Sequence, residues 1–76
     1  MTRIPPSAGL GKRVQQLRTA RGWSQAELAS RVGVAPRTIV QVERGTRAPH
    51  PTTVERLADA LRINYWILLL GDDAYD

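Results

Sequence analysis

The chain has no cysteine, no phenylalanine and only one histidine, His50. The lack of cysteine excludes disulfides and thiolate metal sites, and it fits a reducing cytoplasm. A single imidazole cannot hold a structural zinc ion, and His50 lies between two prolines with no paired carboxylates near it. We therefore expect neither an enzyme active site nor a cofactor.

Long apolar runs are also missing. No run reaches the roughly 18 residues that a membrane span needs. Residues 1–11 lack the basic-then-apolar pattern of a signal peptide. We expect a cytoplasmic protein with no membrane partner.

What is present is small and basic. The 76 residues suffice for one domain. A chain of this size buries only about 60% of its unfolded surface, so self-association would help its stability. Eleven Lys and Arg residues against seven Asp and Glu residues give a net charge of +4, which suits a polyanionic partner.

Residues 24–45 predict two short helices joined by a tight turn. Ser24 and Glu27 have the spacing of a capping box at the start of the first helix. Gly33 can adopt the left-handed conformation that ends it, and Pro36 suits the first position of the second helix, which Gly45 ends. The expected buried residues of the pair are Leu28, Ala29, Val32, Ile39 and Val42.

Three more helices are predicted around this pair, which makes the fold all-α. The first runs from about Leu10 and ends at Gly22, with Leu10, Val14, Leu17 and Ala20 on its buried face. Its other faces carry Lys12, Arg13, Arg18 and Arg21, which we expect to be solvated.

The fourth helix begins near Pro51, and its cap stays open between His50 and a second capping box of Thr52 with Glu55. Its buried stripe is Val54, Leu57, Ala58 and Leu61. Residues 65–70 form the last helix, capped by Asn64. We expect a flexible N-terminal arm at 1–9, a domain at 10–71 and an acidic tail at 72–76.

The pair of helices resembles the helix-turn-helix of phage Cro and repressor-type domains, also called the Cro/C1-type or XRE family. The resemblance rests on Gln25, Leu28, Ala29, Val32, Gly33, Val34, Ile39, Val42, Glu43 and Gly45, and it extends from Leu10 to Gly71. It implies a compact five-helix, lambda-repressor-like DNA-binding domain with the motif at helices 2 and 3. The alternative is a generic helical hairpin in a small bundle.

The resemblance implies which residues touch DNA. Arg37 and Gln41 match positions that contact base edges, where arginine suits guanine and glutamine suits adenine. Val40 could pack on a thymine methyl group, whereas Pro36 departs from the polar residue usual in the family and keeps only van der Waals contact or none. The expected phosphate contacts are Gln25, Thr38, Arg44, Thr46 and Arg47.

Glu43 lies at the end of the second helix of the motif, where its carboxylate opposes both the helix dipole and nearby phosphates. It should therefore be paired. The resemblance implies an ion pair with Arg18 of the first helix. The alternative is a solvated Glu43 beside Arg44 or Arg47.

The last helix is apolar nearly all round, more than a two-turn helix can bury on one face. Ile67 and Leu68 fall where the family has core residues. Trp66 and Leu70 are four apart, so they share one exposed stripe that we expect at the centre of a dimer interface. The alternative is that Trp66 folds over residues 1–6 of its own chain.

These features together predict a sequence-specific DNA-binding transcriptional regulator that is associated with the nucleoid. We expect a repressor whose homodimer binds a two-fold symmetric operator in double-stranded DNA. The alternative is an antitoxin or adaptor of the same fold, whose main partner is another protein such as a toxin.

Overall fold

The computed structural model describes residues 9–46 and 48–71, and these residues form five α-helices without a strand among them. The helices are α1 (Leu10–Ala20), α2 (Gln25–Val32), α3 (Pro36–Arg44), α4 (Pro51–Leu61) and α5 (Tyr65–Leu70). The all-α prediction and the order of the helices are confirmed. Residues 1–8 of the expected arm and the whole expected tail lie outside the described residues.

The helices α2 and α3 begin and end where the sequence predicts, because the expected capping bonds and turn conformations form. The Ser24 hydroxyl accepts from the Glu27 amide at 3.0 Å, and the Glu27 carboxylate accepts from the Ser24 amide at 3.2 Å. Gly33 ends α2 at φ 85°, a left-handed conformation that costs glycine little. Ala35 offers no side-chain cap to α3, so the fixed φ of Pro36 supports its start instead.

His50, and not Thr52, caps the start of α4. Its Nδ1 accepts a hydrogen bond from the Thr52 amide at 3.1 Å, and the helix begins at Pro51. Thr52 therefore lies inside the first turn, where it cannot cap the helix. The same kind of bond holds α5, because the Asn64 side chain accepts from the amides of Trp66 and Ile67.

The core lies between all five helices. Its fully buried large side chains are Leu10, Val14, Leu28, Ile39, Val54, Leu57, Leu61 and Leu68. Three expected core residues are less buried than predicted, because Ala20 is exposed and Leu17 and Ile67 are only half-buried. The core lies under the first half of α1, at Leu10 and Val14, so the last turn of that helix extends beyond it.

Of the four basic residues that we expected to be solvated, Lys12 and Arg21 are exposed, whereas Arg13 and Arg18 are half-buried. The Arg13 guanidinium donates to the carbonyls of Leu68 and Leu69 at 2.7 and 2.6 Å, and Arg21 donates to the Leu61 carbonyl. The last carbonyls of a helix have no partner within it, and cations near them are favourable. Arg13 and Arg21 therefore fasten the ends of α5 and α4 to α1. Arg18 forms an ion pair with Glu43 of α3.

In the part of the chain that the structure describes, none of the helices has both the length and the hydropathy of a membrane-spanning segment.

Candidate nucleic-acid interface

The outer face of α3 carries the four residues predicted to contact bases. Ile39 is fully buried and Val42 is 4% exposed, so they turn the opposite side of the helix outward. On that side, Pro36 and Arg37 are exposed and Val40 and Gln41 are half-buried. Within residues 9–46 and 48–71, no hydrogen bond or ion pair occupies the Arg37 guanidinium. The side chain is therefore available to an external acceptor.

An ion pair between Arg18 and Glu43 fixes the end of α3 to α1, as the resemblance implied. Arg18 donates from Nε to Oε2 at 2.7 Å and from Nη2 to Oε1 at 3.1 Å, and its Nη1 donates to the Trp23 carbonyl at 2.8 Å. The side chains of Arg18 and Glu43 are only 11% and 6% exposed. The hydrogen bonds to Glu43 raise the pKa of Arg18 above its ordinary value, and burial opposes this more weakly.

Gln25 joins the same network, a contact that the sequence analysis missed. Its side-chain Nε2 donates to Oε1 of Glu43 at 3.0 Å. A glutamine amide has two hydrogens, so one is left for a phosphate oxygen after this bond. Arg18, Glu43 and Gln25 thus connect α1, α3 and α2 through one carboxylate, and they orient the predicted phosphate contact at the start of α2.

A cleft of about 330 Å³ lies between α3 and the loop before α4. It is lined by Thr38, Gln41, Ala48, Pro49, His50 and Thr53. The cleft brings the predicted phosphate contact Thr38 and the predicted base contact Gln41 beside the loop. Sequence reasoning named Thr46 and Arg47 of this loop but not the lining residues at 48–53, because no short-range pattern connects them with the outer face of α3.

Two of the remaining phosphate candidates, Arg44 and Thr46, lie at the end of α3. Arg44 and Thr46 are exposed. The Thr46 hydroxyl donates to the Gln41 carbonyl at 3.4 Å, which turns it back toward the helix. Arg47 lies outside the described residues.

A second exposed surface lies on α5. Trp66 is 54% exposed and Leu70 is 37% exposed, and they are the large apolar side chains most open to solvent in the described range. The ring of Trp66 meets that of Tyr65 edge-on, with centroids 4.9 Å apart. Leu68, on the opposite side of α5, is fully buried. We call Trp66 and Leu70 the α5 stripe; the alternative contact of Trp66 with residues 1–6 lies outside the described residues.

A family model described as a helix-turn-helix matches residues 14–65, which contain α2, α3 and α4 entirely. The chain belongs to the helix-turn-helix family. The match covers the capping box, the Gly33 turn and the Arg18–Glu43 pair, and it confirms the resemblance to Cro and repressor-type domains.

Individual helix-turn-helix proteins are similar over most of this chain. An uncharacterised HTH-type transcriptional regulator of Mycobacterium tuberculosis is 39% identical over 66 residues, which are 83% of this chain and 26% of the relative. This chain therefore spans about a quarter of that relative's length.

Two solved structures share the fold. The P22 c2 repressor, in complex with a synthetic operator, has a TM-score of 0.79 and 33% identity, and the match covers 83% of this chain and 96% of the repressor. The restriction-modification controller protein C.AhdI of Aeromonas hydrophila has a TM-score of 0.74 and 39% identity, covering 78% and 89% of the two chains.

Metal binding would require several ligand side chains close together. Among the residues that the structure describes, no group of three or more His, Asp or Glu side chains could hold a metal ion. His50, the one imidazole, is engaged as the cap of α4.

Proposed function

We propose that this helix-turn-helix protein is a sequence-specific transcriptional regulator, a repressor that binds double-stranded DNA in the cytoplasm at the nucleoid. The observation that carries the proposal is the outer face of α3. It presents Arg37 and Gln41 one helical turn apart, on a helix held by the Arg18–Glu43–Gln25 network. The operator complex of the P22 c2 repressor, a protein of the same fold, supports DNA as the ligand.

The mechanism places α3 in the major groove. Each base pair shows a distinct pattern of donors and acceptors there, and an α-helix fits its width. The Arg37 fork suits O6 and N7 of a guanine, and the Gln41 amide suits N6 and N7 of an adenine. Val40 contacts a thymine methyl group, and Pro36 contributes van der Waals contact alone. No cofactor takes part.

Phosphate contacts set the position of α3 rather than its preference for a sequence. We expect these contacts from Gln25 at the start of α2, from Thr38 in the first turn of α3, and from Arg44, Thr46 and Arg47. Each phosphate that a cation neutralises releases counterions, so binding should weaken steeply with added salt. A protein-binding adaptor of the same fold would bind heparin and random DNA weakly at all salt concentrations.

Arg37→Ala is expected to cost about 1–3 kcal/mol of binding on the preferred site and to relax the preference at one base position. The loss arises because the guanidinium fork donates to one guanine. Selection of bound sites from random duplexes gives the preferred sequence, and fluorescence anisotropy then compares wild type and variant on all four bases at each position.

The matched control is Arg56→Ala, because Arg56 is an exposed arginine of α4 outside α3. It removes the same charge and should leave the base preferences unchanged. Equal losses for Arg37→Ala on the preferred site and on random duplexes would reassign Arg37 to the phosphate backbone.

We propose further that the regulator is a homodimer whose contact is centred on the α5 stripe. A two-fold axis brings the stripe against its own copy, which covers apolar surface that one chain leaves open. It would present two α3 helices to half-sites roughly 34 Å apart, one turn of DNA. The same axis makes the operator two-fold symmetric.

Trp66→Ala is expected to weaken the dimer by about 2 kcal/mol or more, because a central tryptophan commonly anchors such a contact. Sedimentation should show a shift toward monomer, and operator binding should depend more steeply on protein concentration. The fold should persist, because Leu68 rather than Trp66 fills the core.

Glu55→Ala, on an exposed face of α4, serves as the control and should leave the dimer intact. Wild-type protein that sediments as a monomer well above the concentration saturating its operator would contradict a preformed dimer. The stripe would then be a surface for another protein or for dimerisation on DNA.

A further inference from the structure

A second cavity lies away from the outer face of α3, where the ends of α1 and α4 meet the start and the last turn of α2. It has a volume of about 470 Å³ and is lined by Arg21, Trp23, Arg31, Asp59, Ala60 and Arg62. We call it the Trp23 pocket. No residue of α3 or α5 lines it, so it is separate from the predicted base contacts and from the α5 stripe.

One wall of the Trp23 pocket is held in place by bonds to the fold. Trp23 is half-buried and packs against the core. Arg21 donates to the carbonyls of Leu17 and Leu61, which fixes its guanidinium 5.9 Å from the centre of the Trp23 ring. The Arg31 guanidinium lies closer, at 4.1 Å from the same ring. A stacked guanidinium keeps its edge donors free to bind an acceptor.

The charge of the pocket is positive but mixed. The Arg21 guanidinium already donates hydrogen bonds to carbonyls at the ends of α1 and α4. The other charged residues that line the pocket are Arg31, Arg62 and a single acidic residue, Asp59. Throughout residues 9–46 and 48–71 the one ion pair is Arg18–Glu43, so neither arginine is paired with Asp59. Two guanidinium forks are therefore available to external carboxylates.

We propose that the Trp23 pocket is a docking site for an acidic segment of a partner protein, containing Asp or Glu side chains. Arginine binds carboxylates through two parallel hydrogen bonds, and tryptophan and arginine are the residue types most common among binding anchors. Asp59 favours a peptide over a DNA backbone, because it accepts from peptide N–H groups but repels a chain of phosphates. No residue of α3 lines the pocket, so we expect a regulator bound to DNA through α3 to keep the pocket available for this partner.

The probe is acetyl-hexaglutamate amide, titrated into the full chain and followed by NMR. The chain has two tryptophans, Trp23 and Trp66, whose indole N–H signals report on the pocket and on the α5 stripe separately. The Trp23 signal should shift and saturate, and the Trp66 signal should stay in place. Acetyl-hexaserine amide should move neither signal. Arg31→Glu should weaken binding of the probe about tenfold.

Arg56→Glu is the matched control, since it makes the same charge change on an exposed site outside the pocket. It should weaken the probe less than threefold. If Arg31→Glu does not fold, Arg62→Asn removes the other fork. Asparagine tolerates the left-handed conformation of that residue, at φ 55°. Arg62→Asn should then weaken the probe about threefold or more.

Three results would overturn the proposal. One is a Trp23 signal that does not respond to hexaglutamate. Another is an equal loss in the Arg31 and Arg56 variants, which would mean diffuse attraction between the basic chain and the probe. The third is a non-operator duplex that shifts the Trp23 signal and loses more affinity with Arg31→Glu than with Arg56→Glu. That result would assign the pocket to the DNA backbone.

Discussion

Gly11→Ala is expected to destabilise the domain by about 3 kcal/mol, although the same change in most helices is stabilising. Gly11 lies in the first turn of α1, directly against the end of α3. A Cβ atom built on it would be 2.3 Å from the carbonyl oxygen of Val42 and 2.7 Å from that of Glu43. These are backbone atoms, so no side-chain rotation relieves the contact, and the two helices must separate.

Two opposing effects decide whether Gly11→Ala raises or lowers the stability of the domain. Alanine gains roughly 0.5–1 kcal/mol over glycine inside a helix. Overpacking a tight contact costs about 1–3 kcal/mol and occasionally more, and here the obstacle is main chain. The overpacking effect should therefore dominate. It removes a large part of the stability of a domain for which about 5 kcal/mol is ordinary.

Urea denaturation followed by circular dichroism measures this loss. Gln15→Ala is the control, because Gln15 is exposed on the same helix and its replacement should change stability by less than about 0.5 kcal/mol. A Gly11→Ala protein as stable as wild type would mean that α1 and α3 can move apart without cost.

Gly11 also illustrates what the sequence could not predict. The periodic positions Leu10 and Val14 indicate the buried face of α1 from local spacing alone. The need for glycine beside Leu10 arises from α3, far along the chain, and from how closely the two helices cross. Arg13 and Arg21 escaped prediction for the same reason, since their acceptors are carbonyls at the ends of α5 and α4.

Local chemistry did predict the helix boundaries of the motif. Ser24 with Glu27, Gly33 and Pro36 each act within one turn, so their effects survive in any tertiary context. The outer face of α3 follows from helical periodicity as well. The Arg18–Glu43 pair is different, because only the resemblance to a family connected two residues on separate helices. The Gln25 bond to the same carboxylate had no signal in the sequence.

Glu43→Ala is expected to cost about 3 kcal/mol of stability, at the low end of what breaking a buried ion pair costs. The carboxylate is 6% exposed and accepts three hydrogen bonds, two from Arg18 and one from Gln25. Without it, Arg18 keeps only the Trp23 carbonyl in a setting with little access to water. The Arg18 side chain is 11% exposed, so water reaches part of the unpaired guanidinium and the loss of stability is not larger.

The same change should affect DNA binding in two opposite ways. Removing a negative charge near the phosphates should strengthen binding to random duplexes. Losing the link between α1, α2 and α3 should weaken binding to the preferred site, because α3 is no longer held at one angle. The ratio of preferred to random affinity should therefore fall more than the affinity for the preferred site alone, which anisotropy on the two duplexes measures.

Glu55→Ala, which removes an exposed carboxylate of α4, controls for the change in net charge and should leave both stability and the affinity ratio near wild type. Glu43→Gln retains one acceptor oxygen and should lose less stability than Glu43→Ala. The raised pKa of Arg18 also predicts how the stability of the domain depends on pH. A group whose pKa is raised by folding stabilises the folded state fully at every pH below its ordinary pKa. The contribution of Arg18 ionisation to stability should therefore stay constant between about pH 6 and 9. A loss as small for Glu43→Ala as for Glu55→Ala would show that the network does not hold the motif together.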